Sequence, residues 1–226
     1  MKQFIPDKYE DLFENWDDPV MFDHAKDEEI VISQIYSSKE KTFIDLGAGY
    51  GRVLPILAKA AKNVISIEID NDMFFELEKR AKKYNNVKVI HGDITKLHHL
   101  IVRENVKNPV LLILQNTLGT IEGDWNKVLS EMKNVAKKYH GEIILSLYRQ
   151  QALEKWGLMT YWHGVEMNGE PNLKKTDFVN GQFESKTGYI SKWWTDREIN
   201  NIKKCFNGKV LNEKKAFEYT IIHIKY

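Results

Sequence analysis

A single cysteine, Cys205, is found among 226 residues, which excludes an intrachain disulfide and any multi-cysteine metal centre. It falls in a helix-forming stretch and reads as a bystander rather than a nucleophile. A reducing, cytoplasmic setting fits. Long apolar runs are lacking too: Val110 to Leu114 is far too short to cross a bilayer. The opening residues, Met1 to Asp7, lack the apolar core of a signal peptide. Neither sign of charge dominates. Lys and Arg number 33 against 32 Asp and Glu, a net +1, so no global attraction to nucleic acid or an anionic membrane is expected. No convincing metal ligands occur, because the tandem His98-His99 points its side chains apart on a helix or strand. Repeats, low-complexity tracts and linkers are absent, which predicts one domain over 1–226.

The chain does hold the means of building a core, with 42% hydrophobic and 12% aromatic residues. Residues 1–40 are acidic and aromatic. Tyr9, Leu12, Phe13 and Trp16 fall at helical spacing, as a cap on the core or a lid over a ligand. Asp23 to Ser37 suggests a second helix. Aliphatic runs then alternate with helical patterns: strands at 43–46, 63–68, 87–90, 110–114 and 142–148, and helices from Val53, from Met73 and from about Asp124. This predicts a parallel sheet covered on both faces. Beyond residue 150 the pattern loosens into a loop-rich stretch, Gly164 to Asn180. A hairpin follows around Lys186-Thr187-Gly188. Thr195 to Glu198 forms a capping box opening a helix, and a last strand covers Phe217 to Ile224.

Polar residues gather where four strands end: Asp45, Glu68, Asp93 and Gln115-Asn116. In open α/β sheets that edge binds ligands. After Asp45 comes the turn Gly47-Ala48-Gly49-Tyr50-Gly51-Arg52. A dinucleotide fingerprint needs its third glycine at position 52, where Arg52 stands. The turn therefore suits a smaller, more polar ligand with an amino-acid-like tail. Arg52 either orients a carboxylate or anchors the first helix of the nucleotide half.

Taken together, these pieces resemble the class I S-adenosylmethionine-dependent methyltransferases: Asp45 to Gly51, Glu68 in Ile67-Glu68-Ile69-Asp70, Asp93 in Gly92-Asp93-Ile94, and Leu114-Gln115-Asn116-Thr117. The resemblance covers roughly residues 40–150. It implies an α/β, three-layer Rossmann-like fold, with a mostly parallel seven-stranded sheet and an antiparallel strand near the C-terminus. The regions are a helical cap at 1–40, a cofactor half at 41–150 and a substrate-side region at 151–226. The implied cofactor is S-adenosylmethionine, leaving S-adenosylhomocysteine as product. Gly47, Ala48, Gly49 and Gly51 would embrace the methionine moiety, with Asp45 on its ammonium side. Glu68 would accept from the ribose hydroxyls and Asp93 from the adenine amino group. Ile69 would pack on the adenine, the Ile94 amide would donate to the ring, and Gln115 would lie near the transferable methyl.

For the methyl acceptor, no Pro-Cys dipeptide exists for cytosine C5 chemistry. Gln115-Asn116-Thr117-Leu118 also lacks the prolines of the (Asn/Asp/Ser)-Pro-Pro-(Tyr/Phe) motif that resembles base-amino methylases. The segment looks closer to the small-molecule glycine and sarcosine N-methyltransferase group. This implies a small amine as acceptor, nucleic acid as an improbable partner, and no membrane or metal. Asn116 and Thr117 would hold the acceptor. His163 would act as a general base, unless it is an idle loop histidine. Tyr9 and Trp16 would face a cationic substrate. The rivals are an RNA- or protein-directed methyltransferase and a non-catalytic binder of the cofactor. Oligomeric state is not encoded in any of these patterns.

Overall fold

Continuous aliphatic strands whose alternate side chains both need burial dictate a sheet clad on two sides. The computed structural model describes residues 5–14, 19–35 and 37–226. Helices α1 (Pro6–Glu14) and α2 (Pro19–Ser33) precede β1 (Thr42–Leu46). Next come α3 (Leu54–Ala60), β2 (Asn63–Glu68), α4 (Asn71–Ala81), β3 (Val87–His91) and α5 (Leu97–Ile101). The parallel part ends with β4 (Val110–Ile113), α6 (Thr117–Thr120), α7 (Trp125–Tyr139) and β5 (Glu142–Tyr148). Short helices α8 (Leu158–His163) and α9 (Val165–Asn168) then lead to a separate hairpin, β6 (Gln182–Glu184) with β7 (Ile190–Lys192). Helix α10 (Asp196–Phe206), β8 (Lys209–Lys215) and β9 (Tyr219–Lys225) close the chain.

The main sheet has seven strands in the order β3-β2-β1-β4-β5-β9-β8. The first five are parallel, and β9 runs antiparallel to β5. This is the expected Rossmann-like methyltransferase architecture. Strand β4 shows why both faces are covered. Val110, Leu112 and Leu114 point into the core under α2, α3 and α4, while Leu111 and Ile113 point into the core under α5, α7 and α10. Period-two alternation with no polar face leaves no side for water.

The helix caps form as their residues require. Asp70 accepts from the Asp72 and Met73 amides at the start of α4, and Thr195 and Glu198 form the reciprocal box of α10. Two regions escaped the sequence pattern. Strand β8 is exposed along its whole length and rich in lysine, so no burial alternation marks it. Only its ladder with β9 makes it a strand, and lysines on such an edge oppose pairing with other chains. The second is the stretch after β5, where a loop was expected only from Gly164. Here Leu153–Gly157 forms a π-turn ahead of α8 and α9. Trp16 lies outside the described residues. Among the described residues, no helix is long and apolar enough to cross a membrane, and no cluster of three His, Cys, Asp or Glu could hold a metal ion.

Candidate active site

At the C-terminal ends of β1, β2, β3 and β4 lies a cavity of about 780 Å³, within the range of ligand pockets. One end is lined by Asp45, Gly47, Gly49, Glu68, Asp93 and Gln115. Ala48, Ile69, Ile94, Asn116 and Thr117 also line it; Gly51 does not. Gly47 and Gly49 adopt positive φ, 71° and 56°. A Cβ on Gly47 would stand 2.4 Å from Thr117 Cγ2, whereas one on Gly49 would meet nothing within 4 Å. Glycine is therefore a packing need at 47. At 49 it leaves the backbone open to the cavity.

The acids differ in their surroundings. Asp45 is 3% exposed, and its Oδ2 has no hydrogen-bond partner among the described residues. Burial pushes its carboxyl up to about 7, nearby Glu68 and Glu28 add to this, and Arg52 opposes it. Glu68 is also held above the usual carboxylate range by burial, despite bonds from backbone amides. Its Oε2 accepts from Gly49 N at 2.7 Å and its Oε1 from Ile69 N and Asp70 N, both at 2.8 Å. Asp93 lies below the usual range: burial alone would raise it, but bonds from the Thr95 amide and hydroxyl at 2.9 and 2.8 Å outweigh that. Between these acids Ile69 is 63% exposed, an apolar side chain left on the cavity's rim.

Sequence reasoning missed Glu28. It sits on α2, fully buried, and accepts from Gln115 N at 2.8 Å and Gln115 Nε2 at 3.0 Å. It also pairs with Arg52, and His24 Nε2 lies 3.2 Å from its Oε1. Burial would raise its carboxyl, but His24, Arg52 and these bonds hold it well below the usual range. Arg52 does orient a carboxylate, but the carboxylate belongs to the protein. His24 in turn meets Ser146 Oγ at 2.6 Å and stacks on Tyr219 with ring centroids 4.1 Å apart. Gln115 and Asn116 both hold positive φ, 47° and 56°, a bend that Glu28 clamps from above.

The far end of the cavity is aromatic: Tyr9, Tyr148, Tyr161, Tyr189 and Trp193 line it. Tyr161 stacks on Phe183 with centroids 3.6 Å apart and takes a hydrogen bond from Trp193 Nε1 at 2.9 Å. Tyr9 joins this wall from α1, as anticipated for an acceptor-facing ring. Two other residues are placed differently. Asn116 is buried, and both ends of its amide are committed: Oδ1 accepts from Trp194 Nε1 at 2.9 Å and Tyr148 N at 3.1 Å, while Nδ2 donates to Lys192 O at 2.9 Å and toward Ser191 Oγ at 3.4 Å. That leaves the amide no bond for an acceptor, which corrects its expected role. His163 is exposed on α8, its Nδ1 is 2.9 Å from Met159 O, and it is not part of the cavity lining. A general base at the cavity is therefore not His163. Thr117 stays half-buried in the lining, with no hydrogen bond to its hydroxyl among the described residues.

Comparison with known proteins bears on this geometry. The ribosomal RNA adenine dimethylase family profile matches residues 26–118. Ribosomal RNA small subunit methyltransferase A of Clostridium botulinum (strain Okra / Type B1) is 36% identical over 110 residues, 48% of this chain and 39% of that protein. The chain thus spans well under half the length of that relative. Among solved structures, an S-adenosylmethionine-dependent methyltransferase from Clostridium acetobutylicum ATCC 824 superposes with a TM-score of 0.62 at 14% identity, covering 97% of this chain and 96% of that one. Magnesium protoporphyrin IX methyltransferase from Synechocystis PCC 6803 with bound SAH gives 0.61 at 14% identity, covering 97% and 93%. These structural likenesses establish the fold. The relatives of known activity correct the expected small-molecule acceptor and the exclusion of nucleic acid, because the matching proteins methylate ribosomal RNA. The charge argument failed for a simple reason: a net +1 is a sum over the chain and says nothing of a local surface.

Proposed function

We propose that this chain, a class I S-adenosylmethionine-dependent methyltransferase, transfers methyl groups to an amino nitrogen of adenine in structured RNA. The observation that carries this reading is the shape of the cavity: polar strand ends at one extremity run without a break into an aromatic wall at the other. Unstacked RNA bases are received on such walls, with about 1–3 kcal/mol per stacked base. Lys127, exposed on the rim, offers a cation for the phosphate backbone. The base-amino methylases have prolines where Gln115-Asn116-Thr117-Leu118 stands. Here the same bend is stiffened by the bonds from Gln115 to Glu28 and by the four bonds of Asn116.

The residues fit the cofactor. The orphaned Asp45 Oδ2 is suited to an ammonium group, and the open backbone at Gly49 admits the methionine chain. Glu68, already placed by three amides, would accept from the ribose hydroxyls. Asp93, held by Thr95, would accept from the adenine amino group, with Ile69 and Ile94 against the ring. When bound, S-adenosylmethionine supplies a methyl group on a sulfonium, already activated for displacement. What remains for the chain is alignment of the incoming nitrogen and exclusion of water.

A test follows the methyl group. Transcribed small-subunit ribosomal RNA incubated with the protein and radiolabelled cofactor, then digested to nucleosides, is expected to carry label in methylated adenosine. Transfer should weaken as salt rises. Label in no RNA nucleoside would sink the reading. Cofactor binding carries its own pH signature. A carboxyl near pH 7 is largely neutral below that value, so calorimetric affinity for the cationic cofactor should rise between about pH 5.5 and pH 7.5. Asp45→Asn should flatten that profile. Stability moves the other way: because the native value is raised, Asp45 contributes stability that is full below about pH 3.8 and is lost as pH climbs through about 7. An unchanged affinity across the window would remove Asp45 from the ammonium site.

A further inference from the structure

One buried polar atom in the aromatic half of the cavity has no use in the fold. Asn168 ends α9, is 6% exposed, and lines the cavity. Its Oδ1 is shut off from solvent and has no hydrogen-bond partner among the described residues. A buried amide oxygen left unpaired costs about 1–3 kcal/mol, so its presence asks for a ligand donor. The backbone beneath it is fixed. Asn168 N donates to Gly164 O at 2.9 Å, Thr187 Oγ1 donates to Asn168 O at 3.0 Å, and Gly169 N bonds back to Val165 O at 2.8 Å. Around it stand Tyr161, Tyr189 and Trp193, three rings in contact through Tyr161. Planar faces with one acceptor atom at their edge describe a slot for a flat ring that presents an N–H.

We propose that Asn168 sets acceptor specificity, its Oδ1 receiving an N–H from the edge of the bound base and so favouring an amino-bearing ring over its oxo counterpart. This rests on the adenine reading above and names the residue that makes the choice. A ring with a carbonyl at that edge would set oxygen against oxygen, the kind of unpaired polar contact that hydrogen-bonding sites reject strongly.

The experiment compares wild type, Asn168→Leu and Asn168→Asp. Each is assayed for RNA methylation and for inhibition by adenosine and by inosine. In the wild type, adenosine should inhibit at least about tenfold better than inosine. Asn168→Leu should lose that preference and raise KM for RNA about tenfold, with a smaller change in kcat. Asn168→Asp keeps an acceptor oxygen and should retain the preference. Because the leucine removes an unpaired amide, its thermal midpoint should equal or exceed that of wild type; a packing role would lower it. A wild type that methylates RNA adenine, beside an Asn168→Leu variant with unchanged KM and preference, overturns the assignment of Asn168 alone. A wild type that labels no RNA adenine overturns the adenine reading and this inference with it.

Discussion

Glu28→Ala is expected to cost about 3–5 kcal/mol of stability, read as a lowered denaturant midpoint at constant slope. The side chain is fully buried, and its removal strands a cation and two amide donors together: Arg52, Gln115 N and Gln115 Nε2. Breaking one partner of a buried pair costs far more than replacing both. The double variant Glu28→Leu with Arg52→Met should therefore recover part of the loss, though not all of it, since the Gln115 amide stays unpaired. Cofactor binding should weaken as well, because Glu28 is what ties α2 to the bend after β4. Glu28→Gln keeps the shape and part of the bonding and should fall between wild type and alanine. A midpoint for Glu28→Ala within error of wild type would show that the network is not what holds α2 down.

Asn116→Ala should lose about 2–4 kcal/mol by the same measurement. Its amide joins three parts of the chain: the end of β5 through Tyr148 N, strand β7 through Lys192 O, and Trp194 through its indole N–H. Deletion would leave the buried Trp194 Nε1 and Tyr148 N without acceptors. The space is also tight, since a Cβ on Gly119 would lie 2.5 Å from Asn116 Nδ2. A side chain that only touched an acceptor would, when removed, lower turnover and spare stability. Full stability in Asn116→Ala with lost activity would restore the acceptor-binding role.

The two expectations for Asn116 differ because position and partners are different kinds of information. Its place after β4 was legible, as were Asp45, Glu68 and Asp93 at their strand ends, since each follows an aliphatic run that can only be a buried parallel strand. What its amide bonds to was not legible: Ser191, Lys192 and Trp194 come 75 or more residues later, beyond any local pattern. Glu28 is harder still. Among the many acids of residues 1–40 it carries no local mark, and its partner Gln115 stands 87 residues away. The signal available was weak: an acid two residues before Ile30-Val31, on a helix whose neighbours Val31 and Ile32 are core. His163 misled in the opposite sense, for aromatic neighbours in sequence do not put a ring in a cavity when the helix turns that ring outward.

The sequence by itself determined the alternating α/β order, the parallel sheet, the glycine turn after β1 and the acids closing β1, β2 and β3. Those follow from periodicity, chirality and capping, which act over a few residues. Only the tertiary structure decided which acid is unpaired, which is clamped by amides, that α2 is pinned to the methyl-donor end through Glu28, and that Asn168 presents an idle oxygen to an aromatic slot. Those outcomes depend on burial and on hydrogen-bond partners drawn from distant segments. No local rule reports them, because the energy of a buried polar group is fixed by what folds against it.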